Sequence, residues 1–263
     1  MMRIIIDEGL ENKEFIKNRT KGYDELRKYL LTLNLEELAK ITGVPLEKIR
    51  EAAVTYAKAS RGCILYDEGI TQHSTGSDNI KALANLALLT GHIGKAGSGV
   101  NPMRGQINGE GSGDMGCLNV FYPGFKRVDS EETIKFFKEA WKVEELPTKP
   151  GKIYTAMLRD CSTLYIVGTN PMVAAPDINN VRRYLEGKDF IVVQDIFLTE
   201  TAQLADIVLP AASWVEKTGT YTWTDRHIQL VEKIIDPPGE AKPEWVIICE
   251  IAKKMGRNAR EYV

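Results

Sequence analysis

The sequence predicts an α/β protein in which a parallel sheet carries helices on both faces. Three observations lead there. Between residues 162 and 212, apolar strand-like runs alternate with an amphipathic helix, the order that parallel pairing requires. Those runs all end in polar or helix-breaking residues, which fall at one edge of the implied sheet. The 263 residues, 43% hydrophobic and 27% charged, have the composition of an ordinary globular protein with one large or two modest cores.

Taken in order, the first part reads as helical. "LEELAKIT" has Asn34 as its cap and Gly43 as its stop. "PLEKIREAAVTYAKAS" opens on Pro45 and repeats Leu46, Ile49, Ala53 and Tyr56 at helical spacing. "GCILYD" reads as a strand running into the polar loop "EGITQHSTGSD". Asp78 is the expected cap of the apolar helix "NIKALANLALLT", closed by Gly91. From Gly91 to Gly116 no hydrophobic period is visible, and a loop of that length is usually functional or disordered. It carries Val100, Pro102, Met103, Ile107 and Met115, which favours an ordered loop lying against a ligand over a flexible linker. "SEETIKFFKEAW" is an amphipathic helix capped by Ser130. "STLYIVGTNP" and "DFIVVQDIF" are buried-type strands, separated by the helix "DINNVRRYLEG" with Asp177 as cap and Gly187 as stop. "ADIVLPAA" is a third strand, and "KPEWVIICEIAKKMG" a last helix.

Several function classes drop out. A net charge of -2 implies no broad cationic face, so no nucleic-acid partner is expected. No apolar run reaches the length of a membrane span, and the opening "MMRIIIDEGL" is too short and acidic for a secretory signal, so the cytoplasm is expected. Cys63, Cys117, Cys161 and Cys249 are scattered, which argues against a zinc or iron–sulfur site in this chain and for buried free thiols. No protein ligand to a metal is assigned.

Open parallel sheets bind ligands outside the carboxyl ends of their strands. Here those ends hold Gly168, Thr169, Asn170 and Pro171 after one strand, and Gln194 and Asp195 on the next. Singly, each stretch reads equally well as an ordinary turn. Together at one edge they point to a ligand, and the Asp195 carboxylate suits a ring with adjacent N–H donors, such as guanine. Gln72 and His73 follow another strand end, where a lone histidine is also readable as merely hydrogen-bonded. No G-x-G-x-x-G follows a strand, and no phosphate loop is present.

The stretches "GITQHSTGSDNIKALANLALLTGHIGKAGSGVNPMRGQINGEGSGDMGCLNVFYPGF", "GTNPMVAAPD" and "VVQDIFLTETAQLADIVLPAASWVEKTGTYTWTDRHIQ" closely resemble molybdopterin-dependent formate dehydrogenase catalytic subunits of the molybdopterin oxidoreductase superfamily. The resemblance implies two Rossmann-like α/β lobes, partial relative to the full family fold: residues 1–106 the later part of one, 107–235 the second, and 236–263 a C-terminal helical segment. It implies molybdenum or tungsten held by two molybdopterin guanine dinucleotides, with formate as substrate. Gly168 to Pro171, Gln194, Asp195 and Thr199 then resemble pterin-guanine contacts, and Gln72 and His73 neighbours of the second nucleotide. Arg104 matches the family's active-site arginine and Gln106 a nearby polar residue. The family's cysteine-rich iron–sulfur module, its metal-ligating cysteine or selenocysteine followed by histidine, and its C-terminal domain have no counterpart here. Trp223 stands where a small polar residue is usual. The chain therefore reads as a fragment, inactive alone, whose partners are the remaining catalytic-subunit segments and an electron-transfer iron–sulfur subunit. The alternatives are a non-catalytic relative, such as the large subunit of respiratory complex I, and a reductase of nitrate or a sulfoxide.

Overall fold

The computed structural model describes residues 1–103 and 105–256. They form an α/β structure built as two compact units, Met1–Gln106 and Ile107–Val263.

The first unit opens with α1 (Met2–Asp7), α2 (Lys13–Arg19), α3 (Tyr23–Leu31), α4 (Leu35–Thr42) and α5 (Leu46–Lys58). Ile4, Ile5 and Ile6 of α1 are all buried, so this short helix is held by packing against α3 and α5 rather than by propensity. Their cluster continues through Ile16, Leu30, Ala53, Leu86 and Leu89. The Asn34 side chain accepts from the N–H groups of Glu36 and Glu37, and Gly43 closes α4 in the left-handed conformation. β1 (Cys63–Tyr66) is followed by α6 (Glu68–Thr71), α7 (Gly76–Thr90) and β2 (Gly99–Pro102), and β2 pairs parallel with β1. Two expectations change here. The polar stretch after β1 contains a helical turn, and α7 starts three residues early, so Asp78 lies in its first turn and caps nothing. His92 is a core residue: its Nε2 lies 2.9 Å from the Tyr56 carbonyl and its ring meets Tyr56 edge-on.

The second unit begins with α8 (Gly109–Asp114), β3 (Phe121–Tyr122), β4 (Lys126–Arg127) and α9 (Glu131–Trp141). The stretch from 91 to 116, expected to lack regular structure, thus holds β2 and α8. Ser130 caps α9 by accepting from the Thr133 N–H, and Phe137 and Trp141 pack on Tyr122. Next come α10 (Tyr154–Asp160), β5 (Thr163–Val167), α11 (Pro171–Ala174), α12 (Ile178–Glu186), β6 (Phe190–Asp195) and β7 (Ile207–Pro210). β5, β6 and β7 form a parallel sheet in that order. Leu164, Ile166, Ile191 and Val193 point to one face, where Leu158, Met172, Val181 and Leu185 of the helices cover them. On the opposite face Tyr165, Val167, Phe190 and Ile207 are each more than a third exposed. β8 (Gly219–Thr222) and β9 (Ile228–Val231) make an antiparallel hairpin, and α13 (Glu244–Lys254) is tied back through the Lys217–Glu244 ion pair.

The cysteines depart from the expected burial. Cys63 and Cys117 are exposed, and Cys161 and Cys249 are half-buried. Along β1 the side chains alternate, and Ile64 takes the core side, leaving Cys63 and Leu65 facing outward.

Leu185 is 1% exposed at the centre of the second unit's core. Leu185→Ala is expected to lower stability by about 2–5 kcal/mol. Trp141, Trp214, Trp223 and Trp245 all lie in that unit, so urea unfolding followed by tryptophan fluorescence reads it directly.

Candidate cofactor site

In the second unit the strand ends gather as the parallel order requires. The Gly168 N–H donates to the Gln194 carbonyl at 2.9 Å, one residue past β5, and Gly168 then turns the chain with φ 63°. A Cβ at this position would meet open space, so the turn is uncovered. Asn170 faces inward. Its Oδ1 accepts from the Thr201 hydroxyl at 2.7 Å and the Thr201 N–H at 3.3 Å, and its Nδ2 donates to Glu200 Oε2 at 2.7 Å. Its carbonyl accepts from the N–H groups of Val173 and Ala174, which starts α11 behind the buried Pro171.

Gln194 is wholly buried. Its Oε1 accepts from the Tyr165 hydroxyl, while its Nε2 has no partner among the described residues. Asp195 is half-buried at the end of β6, and its Oδ1 accepts from the Phe197 N–H at 3.1 Å. Thr199 Oγ1 accepts from the Ala202 N–H at 3.1 Å and opens a single helical turn over 202–204. The Glu200 carboxyl is held below its usual range by its own backbone N–H and then by the Asn170 amide. So the side-chain amide of Asn170 and the hydroxyl of Thr199 are engaged within the loops, whereas Gln194 Nε2 is left without a partner among the described residues and the outer side of Gly168 is open.

In the first unit, Gln72, His73 and Gln106 lie at the carboxyl ends of β1 and β2. Gln72 ends α6 and is exposed. His73 is exposed too, with Nε2 2.9 Å from the Gly69 carbonyl. Gln106 Nε2 donates to Glu68 Oε1 at 3.4 Å. Arg104 lies outside the described residues.

The glycines after Gln106 have a local reason. Asn108 sits at φ 63° and its Oδ1 accepts from the Thr222 N–H at 3.0 Å, which joins α8 to β8. A Cβ on Gly111 would lie 2.0 Å from Asn108 Oδ1 and 3.0 Å from Thr222 Oγ1. Within the turn of the β8–β9 hairpin, Arg226 reaches Glu110 at 3.3 Å and Asp114 at 3.5 Å. Asp225 holds the His227 imidazole by a 2.8 Å contact and raises its pKa above the usual value. Trp223 lies half-exposed on the same turn. This hairpin was not anticipated; the alternating "GTYT" and "IQLV" around a polar turn are its sequence signal.

Residues 1–254 match the family model described as molybdopterin oxidoreductase. The chain belongs to the molybdopterin oxidoreductase family. It is 48% identical over 260 residues to the F420-dependent formate dehydrogenase subunit alpha of Methanocaldococcus jannaschii, a match covering 97% of this chain and 38% of that protein. It is 40% identical over 261 residues to formate dehydrogenase H of Escherichia coli, covering 97% of this chain and 36% of the relative. The chain therefore spans under two fifths of the length of these relatives. Among solved structures, acetylene hydratase from Pelobacter acetylenicus shares the fold with a TM-score of 0.68 at 23% identity, over 97% of this chain and 38% of that one. Among the described residues no helix is long and apolar enough to cross a membrane.

Gly111→Ala is expected to destabilise the second unit by about 1–3 kcal/mol, because the added methyl overlaps the Asn108–Thr222 contact. Gly219→Ala, whose Cβ would touch nothing within 4 Å, should stay within about 0.5 kcal/mol of the parent. Tryptophan-monitored unfolding of both variants makes the comparison.

Proposed function

We infer that the chain is a cofactor-holding part of a cytoplasmic molybdopterin-dependent formate dehydrogenase, acting within a longer catalytic subunit and with an iron–sulfur electron-transfer subunit. The observation that carries this reading is the edge formed by β5 and β6. There Gln194 keeps a buried amide donor without a partner, next to the half-exposed Asp195 carboxylate and the open turn at Gly168. A buried unpaired donor is costly unless a ligand completes it. The naming of the relatives as formate dehydrogenases supports formate as the substrate.

These residues fit a molybdopterin guanine dinucleotide. Asp195 Oδ1 is engaged by Phe197, so its other oxygen is available to a guanine N–H. Gln194 Nε2 supplies a donor for a cofactor oxygen, and Gly168 and Thr169 let the backbone approach. Thr199, Asn170 and Pro171 hold the two loops in place. Gln72 and His73 take the corresponding position toward a second dinucleotide. When bound, the molybdenum or tungsten centre supplies a two-electron acceptor for oxidation of formate to carbon dioxide. Arg104 holds the formate carboxylate, since a guanidinium fork matches that planar anion through two parallel N–H groups, and Gln106 stands beside it.

Asp195→Ala in the complete enzyme should leave guanine donors unpaired, weakening cofactor retention by about 1–3 kcal/mol. Metal content per protein after gel filtration reads this, and unchanged occupancy would refute the guanine role.

Arg104→Lys should keep the attraction for formate and lose its orientation. The expected fall in kcat/KM is about ten- to a hundredfold, or roughly 1.4–2.7 kcal/mol. Activity is normalised to bound metal. A ratio at the parent level in Arg104→Ala would show that Arg104 does not touch formate.

A further inference from the structure

The turn at Gly168 to Pro171 would be a poor binding surface if it were free to rearrange, and its order comes from a residue with no place at the ligand edge. Thr201 is 0% exposed. Its hydroxyl donates its single proton to Asn170 Oδ1 at 2.7 Å and accepts from the Met172 N–H at 3.1 Å. Its own N–H also donates to Asn170 Oδ1. The preceding residue, Glu200, receives the other end of the same amide at 2.7 Å. Two consecutive residues after β6 thus grip both ends of one side chain after β5, 30 and 31 positions away. The amide can take one orientation here, because a flipped amide would set N–H against N–H at Thr201 and oxygen against carboxylate at Glu200. The Thr201 bonds lie in a dry interior, where losing one leaves a buried group unpaired.

We propose that Thr201, with Glu200, is the positioning residue of this site: it locks the loop from Gly168 to Met172 to the segment carrying Asp195 and Thr199, so that both present to a guanine nucleotide as one rigid edge. Asn170 then acts inward, as the gripped element, and the ligand meets Gly168, Thr169 and Asp195. The proposal rests on the reading of this edge as a nucleotide site. It adds that a residue touching no ligand sets the affinity.

The test uses the whole chain and guanosine diphosphate as the probe, with titration calorimetry for affinity and hydrogen exchange at the Met172 amide for loop order. Thr201→Val keeps the shape and removes both hydroxyl bonds. It should weaken the nucleotide by at least about tenfold and speed Met172 exchange by at least about tenfold. Ile191 and Val193 in β6 should exchange as in the parent, and Thr201→Ser should bring both readouts back to within about threefold. Faster Met172 exchange with unchanged affinity overturns the proposal, as does weakened affinity with unchanged exchange. If Thr201→Val loses the protection of β6, Glu200→Ala at the exposed end of the grip replaces it, and unchanged affinity there is equally decisive against. Absence of nucleotide binding by the parent chain, with the exchange pattern as expected, overturns the nucleotide reading and this proposal with it, and leaves the Thr201 bonds as a structural brace.

Discussion

Parallel pairing is the constraint on which the rest depends. Two parallel strands cannot be joined by a tight turn, so the chain must cross back over the sheet before the next strand begins. In the second unit that crossover is α12 between β5 and β6, and in the first it is α7 between β1 and β2. Each return delivers the carboxyl end of a strand to the same edge. Gly168, Gln194 and Asp195 therefore become neighbours, joined by the bond from the Gly168 N–H to the Gln194 carbonyl, and Gln72 and Gln106 follow the corresponding strand ends of the first unit. The chemistry of the site is a consequence of strand direction.

What strand direction leaves undecided, side chains settle. The turn after β5 has an uncovered outer surface and an inner surface pinned by Thr201. α8 is a short glycine-rich helix with little propensity of its own, yet Asn108 and Arg226 fasten it to the β8–β9 hairpin. The closeness of Asn108 to Gly111 explains one of its glycines by contact within the protein, where the sequence suggested contact with a ligand.

The legible parts of the fold were those with local physics. The caps at Asn34, Ser130 and Asp177 each make the bond that their position implied, and the β-branched runs of β5, β6 and β7 pair in parallel as expected. The polar ends of those strands were legible as an edge. The bonds its members make were less so: Asn170 offers an amide in the sequence, but the residues that engage it come 30 and 31 positions later, beyond the reach of pattern. α8 was hidden by its glycines. The β8–β9 hairpin was missed because it lacks a two-residue glycine turn, the strongest short-range hairpin signal, and its two strands are only four residues each. The outward Cys63 follows from the alternation of β1, whose phase is decided by the distant helices that Ile64 meets.

The uncovered side of the β5–β6–β7 sheet affects how this chain behaves as a substance. Parallel sheets are found almost always with both faces covered. Here Tyr165, Val167, Phe190 and Ile207 are each about two-fifths exposed on a face that also carries the wholly buried Gln194. Sulfate and other excluded salts strengthen apolar association, to which apolar side chains exposed on this face contribute in proportion to the area they present.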